Sequence, residues 1–198
     1  MAKQPEGEAR TNIFCRASDL DSEADVEALF VDRLLAKLHY PDNCVRRKDS
    51  LDSFAVAKGV KKELYKPDYV LLGKKQTPRI VIDAKAPNVA PANFHYQVSG
   101  YALALNQQHE AVNPVRYVVL TNGNTTLVYR WDENKPCLEL SFADFEEDNP
   151  KFVQLRSLLT FGALEVIEAT EEVFEFKRPE LDVLIRVFDE CHNVIWKK

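Results

Sequence analysis

The sequence predicts an α/β fold in which helices flank a central mixed β-sheet. Segments with helical periodicity alternate with short apolar runs that are rich in β-branched residues. Their order along the chain is helix, strands, helix, strands, helix. The chain has 198 residues, 45% of them hydrophobic, which suffices for one domain with a core and not clearly for two.

The first predicted element is a helix from Ser22 to about Leu38. The stretch Ser22-Glu23-Ala24-Asp25 resembles a capping box, and Pro41 stops the helix. The apolar face of this helix follows from the 3.6-residue period and consists of Val26, Phe30, Leu34 and Leu38. Residues 1–20 are expected to form a flexible N-terminal segment.

The later elements follow from turn signals and periodicity. Proline residues and the turn sequence Asn122-Gly123-Asn124 separate them. The predicted strands are 45–48, 68–72, 79–85, Val115–Thr121 and Thr126–Trp131. The predicted helices are Asn93–Gln108, Phe145–Leu159 and a last helix from about Arg178 to His192.

Acidic residues lie at the ends of two strands that are predicted to form a hairpin. If Gly73–Pro78 is a symmetric loop, Leu72 pairs with Arg79, and the same register places Asp68 opposite Asp83. Residues two apart share a face of a strand, so Lys85 joins the two carboxylates. The same pattern also fits a hairpin with surface Asp and Lys residues. The apolar run that leads into Asp83 favours a functional site.

Two opposed carboxylates destabilise a sheet unless a cation lies between them. Mg²⁺ suits such a place because it takes oxygen ligands and keeps several waters. It would polarise a phosphodiester and lower the pKa of a bound water, while Lys85 would orient that water or stabilise the developing charge. This hairpin therefore indicates the active site of a metal-dependent nuclease.

Glu27 falls between Leu34 and Leu38 on the apolar face of the first helix. A carboxylate there is unfavourable unless it meets a cation, so Glu27 is a candidate metal or water ligand. It could instead extend from the rim of the helix into solvent. Glu23 lies near the same apolar stripe, and its place in the first turn, where the helix dipole and capping favour an acidic residue, accounts for its presence.

Gln97 and Tyr101 are four residues apart on the next helix and share a face. Gln97 could bind a phosphate and Tyr101 could hydrogen-bond or stack on a base, which makes them candidate substrate-binding residues. An ordinary amphipathic helix with Tyr101 in the core is the alternative.

The net charge is −5 and the pI is about 5.5, which is acidic for a DNA-binding protein. DNA binding must therefore be local or be supplied by another domain. Basic residues cluster before and within the hairpin, where they could form a phosphate-tracking groove or a solvated face. They are Arg46, Arg47, Lys48, Lys58, Lys61, Lys62, Lys66, Lys74, Lys75 and Arg79.

Four short motifs, in this order along the chain, resemble the PD-(D/E)xK nuclease superfamily with its QxxxY addition. They are Glu27, Pro67-Asp68, Asp83-Ala84-Lys85 and Gln97-Val98-Ser99-Gly100-Tyr101. In particular, residues 21–160 resemble the N-terminal nuclease domain of type I restriction enzyme R subunits and related restriction–modification proteins. His39 departs from that family, which has glycine there.

The resemblance implies a restriction-endonuclease-like core and DNA cleavage that depends on Mg²⁺, or on Mn²⁺. It implies that Asp68, Asp83 and the Ala84 carbonyl bind the metal, with Lys85 as the catalytic lysine and Glu27 as a further acid. The implied partners are double-stranded DNA and a translocase motor or adenine methyltransferase. Residues 161–198 resemble the start of a connector helix to such a region, so a fragment or a subunit acting in trans is expected.

Three functions remain open on the sequence alone: a restriction endonuclease module, a RecB-like exonuclease or repair nuclease, and a non-catalytic DNA-binding or assembly module. The four cysteines form no CxxC pair and no apolar run approaches the length of a membrane span. We therefore expect a cytoplasmic protein without membrane contact.

Overall fold

A computed structural model of the chain describes residues 10–48, 55–58, 61–64, 66–109 and 113–164, with 55–58 and 61–64 described by their backbone. The helical elements are α1 (Glu23–Asp25), a π-helical segment (Val26–Val31), α2 (Asp32–Lys37), α3 (His95–Gln107) and α4 (Pro150–Leu159). The strands are β1 (Val45–Arg47), β2 (Ala55–Lys58), β3 (Lys61–Leu64), β4 (Tyr69–Leu72), β5 (Pro78–Ala84), β6 (Tyr117–Thr121), β7 (Thr125–Arg130) and β8 (Leu138–Ser141).

Six of these strands form one mixed sheet in the order β1-β4-β5-β6-β7-β8. β5 and β6 are parallel and are joined through α3, which packs against both strands. The other neighbouring pairs are antiparallel. The predicted α/β fold with a central mixed sheet and flanking helices is therefore confirmed. β2 and β3 pair with each other in a separate two-stranded ribbon.

The predicted first helix is confirmed as a continuous helical run from Glu23 to Lys37. The Ser22 hydroxyl accepts a hydrogen bond from the Asp25 N–H at 3.2 Å, and the Asp25 carboxylate accepts one from the Ser22 N–H at 2.9 Å. All four residues of the predicted apolar face are buried. The π-helical segment contacts β5, so this helix lies beside the strand that carries Asp83.

The hairpin register is confirmed for three pairs and wrong for the fourth. Tyr69 pairs with Ile82, Val70 with Val81 and Leu71 with Ile80, as the predicted register requires. Leu72 pairs with Pro78 and not with Arg79, because the register shifts between Leu71 and Leu72. The error lies at the turn, away from Asp68 and Asp83.

Two differences concern the C-terminal half of the fold. The predicted helix over residues 145–159 begins only at Pro150, where Asn149 caps it by accepting from the Lys151 N–H at 2.9 Å. Phe145 instead packs among the buried rings of Phe30 and Phe152. Strand β8, which precedes this region, was not predicted.

The structured part of the chain begins before the predicted boundary at residue 21. Phe14 and Leu20 are buried in the core, and the Asn12 side chain accepts hydrogen bonds from the N–H groups of Phe14 and Cys15. At the other end, Leu164 is buried. The rest of the predicted connector, 165–198, lies outside the described residues. Among the described helices, none is long and apolar enough to cross a lipid bilayer.

Candidate active site

The hairpin brings Asp68 to the carboxyl end of β5. Asp68 directly precedes β4, and its Oδ2 accepts a hydrogen bond of 2.8 Å from the Ala84 N–H. If the register of the three confirmed pairs is continued by one residue, Asp68 lies opposite Asp83. The predicted proximity of these two strand ends is therefore present in the structure.

Asp83 and Lys85 form a buried ion pair on one face of the chain. Asp83 is 2% exposed, and the Lys85 ammonium contacts its Oδ2. In the described part of the chain, no donor other than the Lys85 ammonium reaches that oxygen. Burial raises the pKa of Asp83 well above its usual value, against the lowering effect of Lys85, and the charge of Asp68 raises it further. The site therefore disfavours the ionised form of Asp83.

Three carboxylates meet beside this pair. Oxygen atoms of Glu23, Glu27 and Asp68 lie within 4.8 Å of one another. Glu23 and Glu27 are four residues apart and therefore share a helix face. Glu27 is thus near Asp68, as the sequence suggests, whereas Asp83 is not a member of this three-carboxylate group.

Glu23 is the residue that the sequence interpretation missed. Asp25, and not Glu23, is the capping partner of Ser22, so capping does not account for Glu23, although its predicted place in the first turn is confirmed. Its four-residue spacing from Glu27 is the signal that could have found it.

Lys48 connects β1 to the acidic group. Its ammonium lies 3.1 Å from Glu27 Oε1, and its N–H donates to the Asp68 carbonyl at 2.6 Å. Its φ of 52° is in the left-handed region. A hydrogen bond with Glu27, with the charges of Glu27, Asp68 and Glu23, raises the pKa of Lys48. One cation therefore already offsets part of the negative charge here.

Gln97 and Tyr101 share a face of α3, as predicted, and Gln97 Nε2 donates to the Tyr101 hydroxyl at 2.8 Å. The Tyr101 side chain lies in the core, with 2% exposure. The described contact between this part of the chain and the strand end is made by Phe94, whose ring centroid lies 4.8 Å from the Lys85 ammonium. Phe94 was not predicted as a site residue.

The loop that follows Lys85 is fixed by the turn between β6 and β7. The Asn122 amide donates to the carbonyls of Pro87 and Val89 at 3.1 and 2.9 Å, while its oxygen accepts from the N–H groups of Asn124 and Thr125. Asn122 is 6% exposed. This side chain therefore holds the loop and the turn together beside the strand end.

The assembled group is chemically suited to a hard divalent cation. Carboxylate oxygens and a backbone carbonyl are the ligands such ions take. The Ala84 carbonyl is also present, where it accepts from the Lys85 ammonium at 2.9 Å. A buried cation–carboxylate pair, a backbone carbonyl and a group of acids thus lie together where β4 begins and β5 ends, in the interior of the strand order.

A family model described as the type I restriction enzyme R protein N terminus (HSDR_N) matches residues 22–141. No curated protein matches the chain. The matched region contains every predicted site residue, from Glu27 to Tyr101.

Several solved structures are similar to the chain. One is described as a fragment of a type I restriction enzyme HsdR subunit from Vibrio vulnificus YJ016, with 22% identity and a TM-score of 0.46 over 67% of this chain and 25% of that one. Another is the type IIG restriction endonuclease BpuSI, with 15% identity and a TM-score of 0.47 over 79% and 18%. A third is a DrdV–DNA complex, with 13% identity and a TM-score of 0.42 over 70% and 82%.

The present chain thus corresponds to about a quarter of the length of the Vibrio chain. The family match covers 120 of the 198 residues, which is more than half of the chain. This chain belongs to the family of type I restriction enzyme R protein N-terminal domains.

Proposed function

We propose that the chain is a metal-dependent nuclease module that cleaves phosphodiester bonds of double-stranded DNA within a restriction–modification system. The observation that carries the proposal is the meeting of Asp68 with the Asp83–Ala84–Lys85 strand end, where Asp68 bonds the Ala84 N–H and Lys85 pairs with Asp83. Membership of the restriction R protein family supports it.

Mg²⁺ is the proposed cofactor, with Mn²⁺ as an alternative. The residues fit such an ion because the Glu23, Glu27 and Asp68 oxygens are crowded within 4.8 Å, and because the buried Asp83 carboxylate beside them has only the Lys85 ammonium as a partner for Oδ2 in the described part of the chain. We expect Asp68, Asp83, the Ala84 carbonyl and Glu27 to hold the ion, with Glu23 as an additional ligand. When bound, it would supply Lewis acidity toward the phosphodiester and water.

Lys85 is the proposed catalytic lysine. Its side chain is 13% exposed and lies between the Asp83 carboxylate and the Phe94 ring, so its ammonium is held in one place. A fixed cation in a water-poor pocket can stabilise the negative charge that develops on a phosphate oxygen. Gln97 remains a proposed substrate contact, and Tyr101 would act by orienting Gln97 through their hydrogen bond.

The proposed partners are double-stranded DNA and a motor or methyltransferase region. Two of the similar restriction chains, the Vibrio fragment and BpuSI, are much longer than this one, and the acidic composition suggests that other regions supply part of the DNA affinity.

The test is cleavage of supercoiled circular DNA by the full chain with Mg²⁺, with Mn²⁺ and with EDTA. We expect nicking only with a metal, and a loss of at least roughly 100-fold in Asp83→Ala and Lys85→Ala, equivalent to about 3 kcal/mol of transition-state stabilisation. Lys75→Ala, at the exposed turn between β4 and β5, is the matched control and should cleave like the wild type.

Equal activity in all variants would refute the site assignment. Cleavage of the circle also separates the two nuclease classes, because an exonuclease requires an end. Activity confined to linear DNA would favour the RecB-like alternative.

A further inference from the structure

The β2–β3 ribbon lies outside the six-stranded sheet, and its two strands pair with each other. Its register sets Lys58 directly opposite Lys61 and Ala57 opposite Lys62. Opposed residues of an antiparallel pair lie on the same face about 5 Å apart. The ribbon therefore ends in two like charges at one register position.

A directly opposed pair of like charges destabilises a hairpin unless an opposite charge binds both. That repulsion would be relieved by an anionic surface that lies along the ribbon. A duplex fits, because its phosphates are closely spaced and its major groove admits a two-stranded β-ribbon.

The segment that contains the ribbon has the opposite charge from the rest of the protein. Residues 45–66 contain seven basic and three acidic residues, a net charge of +4, so the remainder carries −9. Arg47 is committed to Asp32, with an N–O distance of 3.0 Å. The lysines of the ribbon are thus the main positive charges of the segment beyond β1.

The ends of this segment are located at the candidate active site. The chain enters through Lys48, which contacts Glu27 and Asp68, and returns at Lys66, two residues before Asp68. Lys74 and Lys75 belong to the turn at the opposite end of β4, about four strand residues away, or roughly 13 Å. Along the chain, the predicted basic cluster therefore divides into residues 46–66, whose two ends adjoin the carboxylates, and residues 74–79, which follow the opposite end of β4.

We propose that the β2–β3 ribbon, which belongs to a segment whose two ends adjoin the candidate active site, is a DNA-binding element that contacts the phosphate backbone of duplex DNA, with Lys58 and Lys61 as phosphate contacts. This proposal rests on the proposed nuclease function for its substrate. It assigns the local binding surface that an acidic chain needs in order to hold a polyanion.

The test measures binding of the full chain to a fluorescent 30-base-pair duplex in EDTA, from 50 to 200 mM salt, so that cleavage plays no part. We expect Lys58→Ala/Lys61→Ala to weaken binding roughly tenfold at low salt and to reduce the slope of log K against log salt by about 2. Lys58→Arg/Lys61→Arg keeps both charges and should bind like the wild type. Lys74→Ala/Lys75→Ala removes the same charge elsewhere and should change the affinity less than twofold.

Three results would overturn the proposal: wild-type affinity in the Lys58→Ala/Lys61→Ala variant, an equal loss in the Lys74→Ala/Lys75→Ala control, or no binding of DNA by the wild type. Thermal melting of each variant checks that the fold is intact. If no protein cleaves DNA but the ribbon variant still loses affinity, the nuclease proposal fails while the ribbon proposal stands.

Discussion

Asp83 is a carboxylate whose surroundings disfavour its charge. Burial raises its pKa, the adjacent Lys85 ammonium lowers it, and the carboxylates of Asp68 and Glu23 raise it again. The burial of this acid would be unfavourable in a purely structural role, because an apolar or amide side chain would fill the space more cheaply. A bound cation would stabilise the ionised form and would account for an acid at this buried position.

Asp83→Asn should therefore separate metal binding from folding. Without metal, we expect the variant to have an equal or greater free energy of unfolding, by up to about 1–2 kcal/mol, because it removes a disfavoured charge at nearly constant volume. The measurement is urea unfolding in EDTA at pH 8. Asp148→Asn, at an exposed position, is the control and should change nothing. A large loss of metal-free stability in Asp83→Asn would contradict the picture of opposed carboxylates.

Asp144 is a carboxylate whose surroundings favour its charged form, in contrast to Asp83. Burial would raise its pKa, but hydrogen bonds from the N–H and hydroxyl of Ser141 and an ion pair with Lys151 outweigh it and lower the pKa from 3.8 to about 2. A carboxylate whose pKa is lower in the folded state than in the unfolded state stabilises the protein fully when the pH is above the unfolded-state pKa. This stabilisation is lost as the pH falls toward the folded-state pKa.

We expect Asp144→Asn to lower the free energy of unfolding by about 1 kcal/mol at pH 7, as for loss of a helix cap. The difference from the wild type should shrink as the pH falls from about 4 to about 2, because both proteins then carry a neutral side chain. Urea unfolding of both proteins across this range measures it. A difference that is constant with pH would show that the charge of Asp144 does not contribute.

Among the single residues, strand-end acids were more predictable than helix acids. Asp68 and Asp83 follow from strand alternation and one register assumption, which concern only neighbouring chain segments. The capping box is local, because Asp25 is the third residue of the helix that Ser22 caps. The four-residue spacing also places Glu23 beside Glu27, but the proximity of Asp68 to both depends on how the helix packs on the sheet.

At the scale of elements, the site depends on the loop that follows β5, which hydrogen bonds from Asn122 hold in place. Asn122 uses its amide and its oxygen in four hydrogen bonds that join this loop to the β6–β7 turn. Gly123, with φ of 78°, permits that turn, and an added Cβ would lie 2.5 Å from the Leu20 side chain. The turn therefore also contacts the N-terminal part of the core.

Asn122→Ala should lower the free energy of unfolding by about 2–4 kcal/mol, because it leaves buried backbone groups without their partners. We also expect nuclease activity to fall roughly tenfold, since the loop begins at Lys85. Asn124→Ala is the comparison, because the Asn124 side chain donates one hydrogen bond of 3.4 Å to the Pro87 carbonyl. This variant should lose less than about 1 kcal/mol of the free energy of unfolding. Equal effects of the two substitutions would show that Asn122 does not fix the loop.

Elements with strong apolar periodicity were predicted well, and short or mixed ones were not. The continuous apolar run of β5 and the capped first helix are confirmed. β8 has four residues that alternate between buried and exposed, and a run of that length is too short for periodicity to identify a strand with certainty. The helix that was predicted from Phe145 starts later, because Phe145 belongs to an aromatic cluster with Phe30 from the first helix.

At the scale of the whole molecule, the sequence places opposite charges in different parts of one acidic chain. The mixed sheet and the approach of Asp68 to Asp83 could be predicted, since both follow from local periodicity. The grouping of Glu23 and Glu27 with Asp68, and the contact of Phe94 with Lys85, could not, because they depend on how helices pack on the sheet. Packing geometry therefore completes the candidate site.

Metal binding should be visible in the stability of the entire domain, because a ligand that binds only the folded chain stabilises it by mass action. At a Mg²⁺ concentration of about 100 times Kd, the gain is about 2.7 kcal/mol, which for a chain of this size raises Tm by roughly 5–10 °C. Calorimetry with 10 mM MgCl₂ against EDTA measures the shift. Asp68→Asn/Asp83→Asn should abolish it, because the strand-end oxygens are lost, while Asp148→Asn should retain it in full. An equal shift in all three proteins would mean that Mg²⁺ acts on surface charge and that Asp68 and Asp83 do not bind the ion.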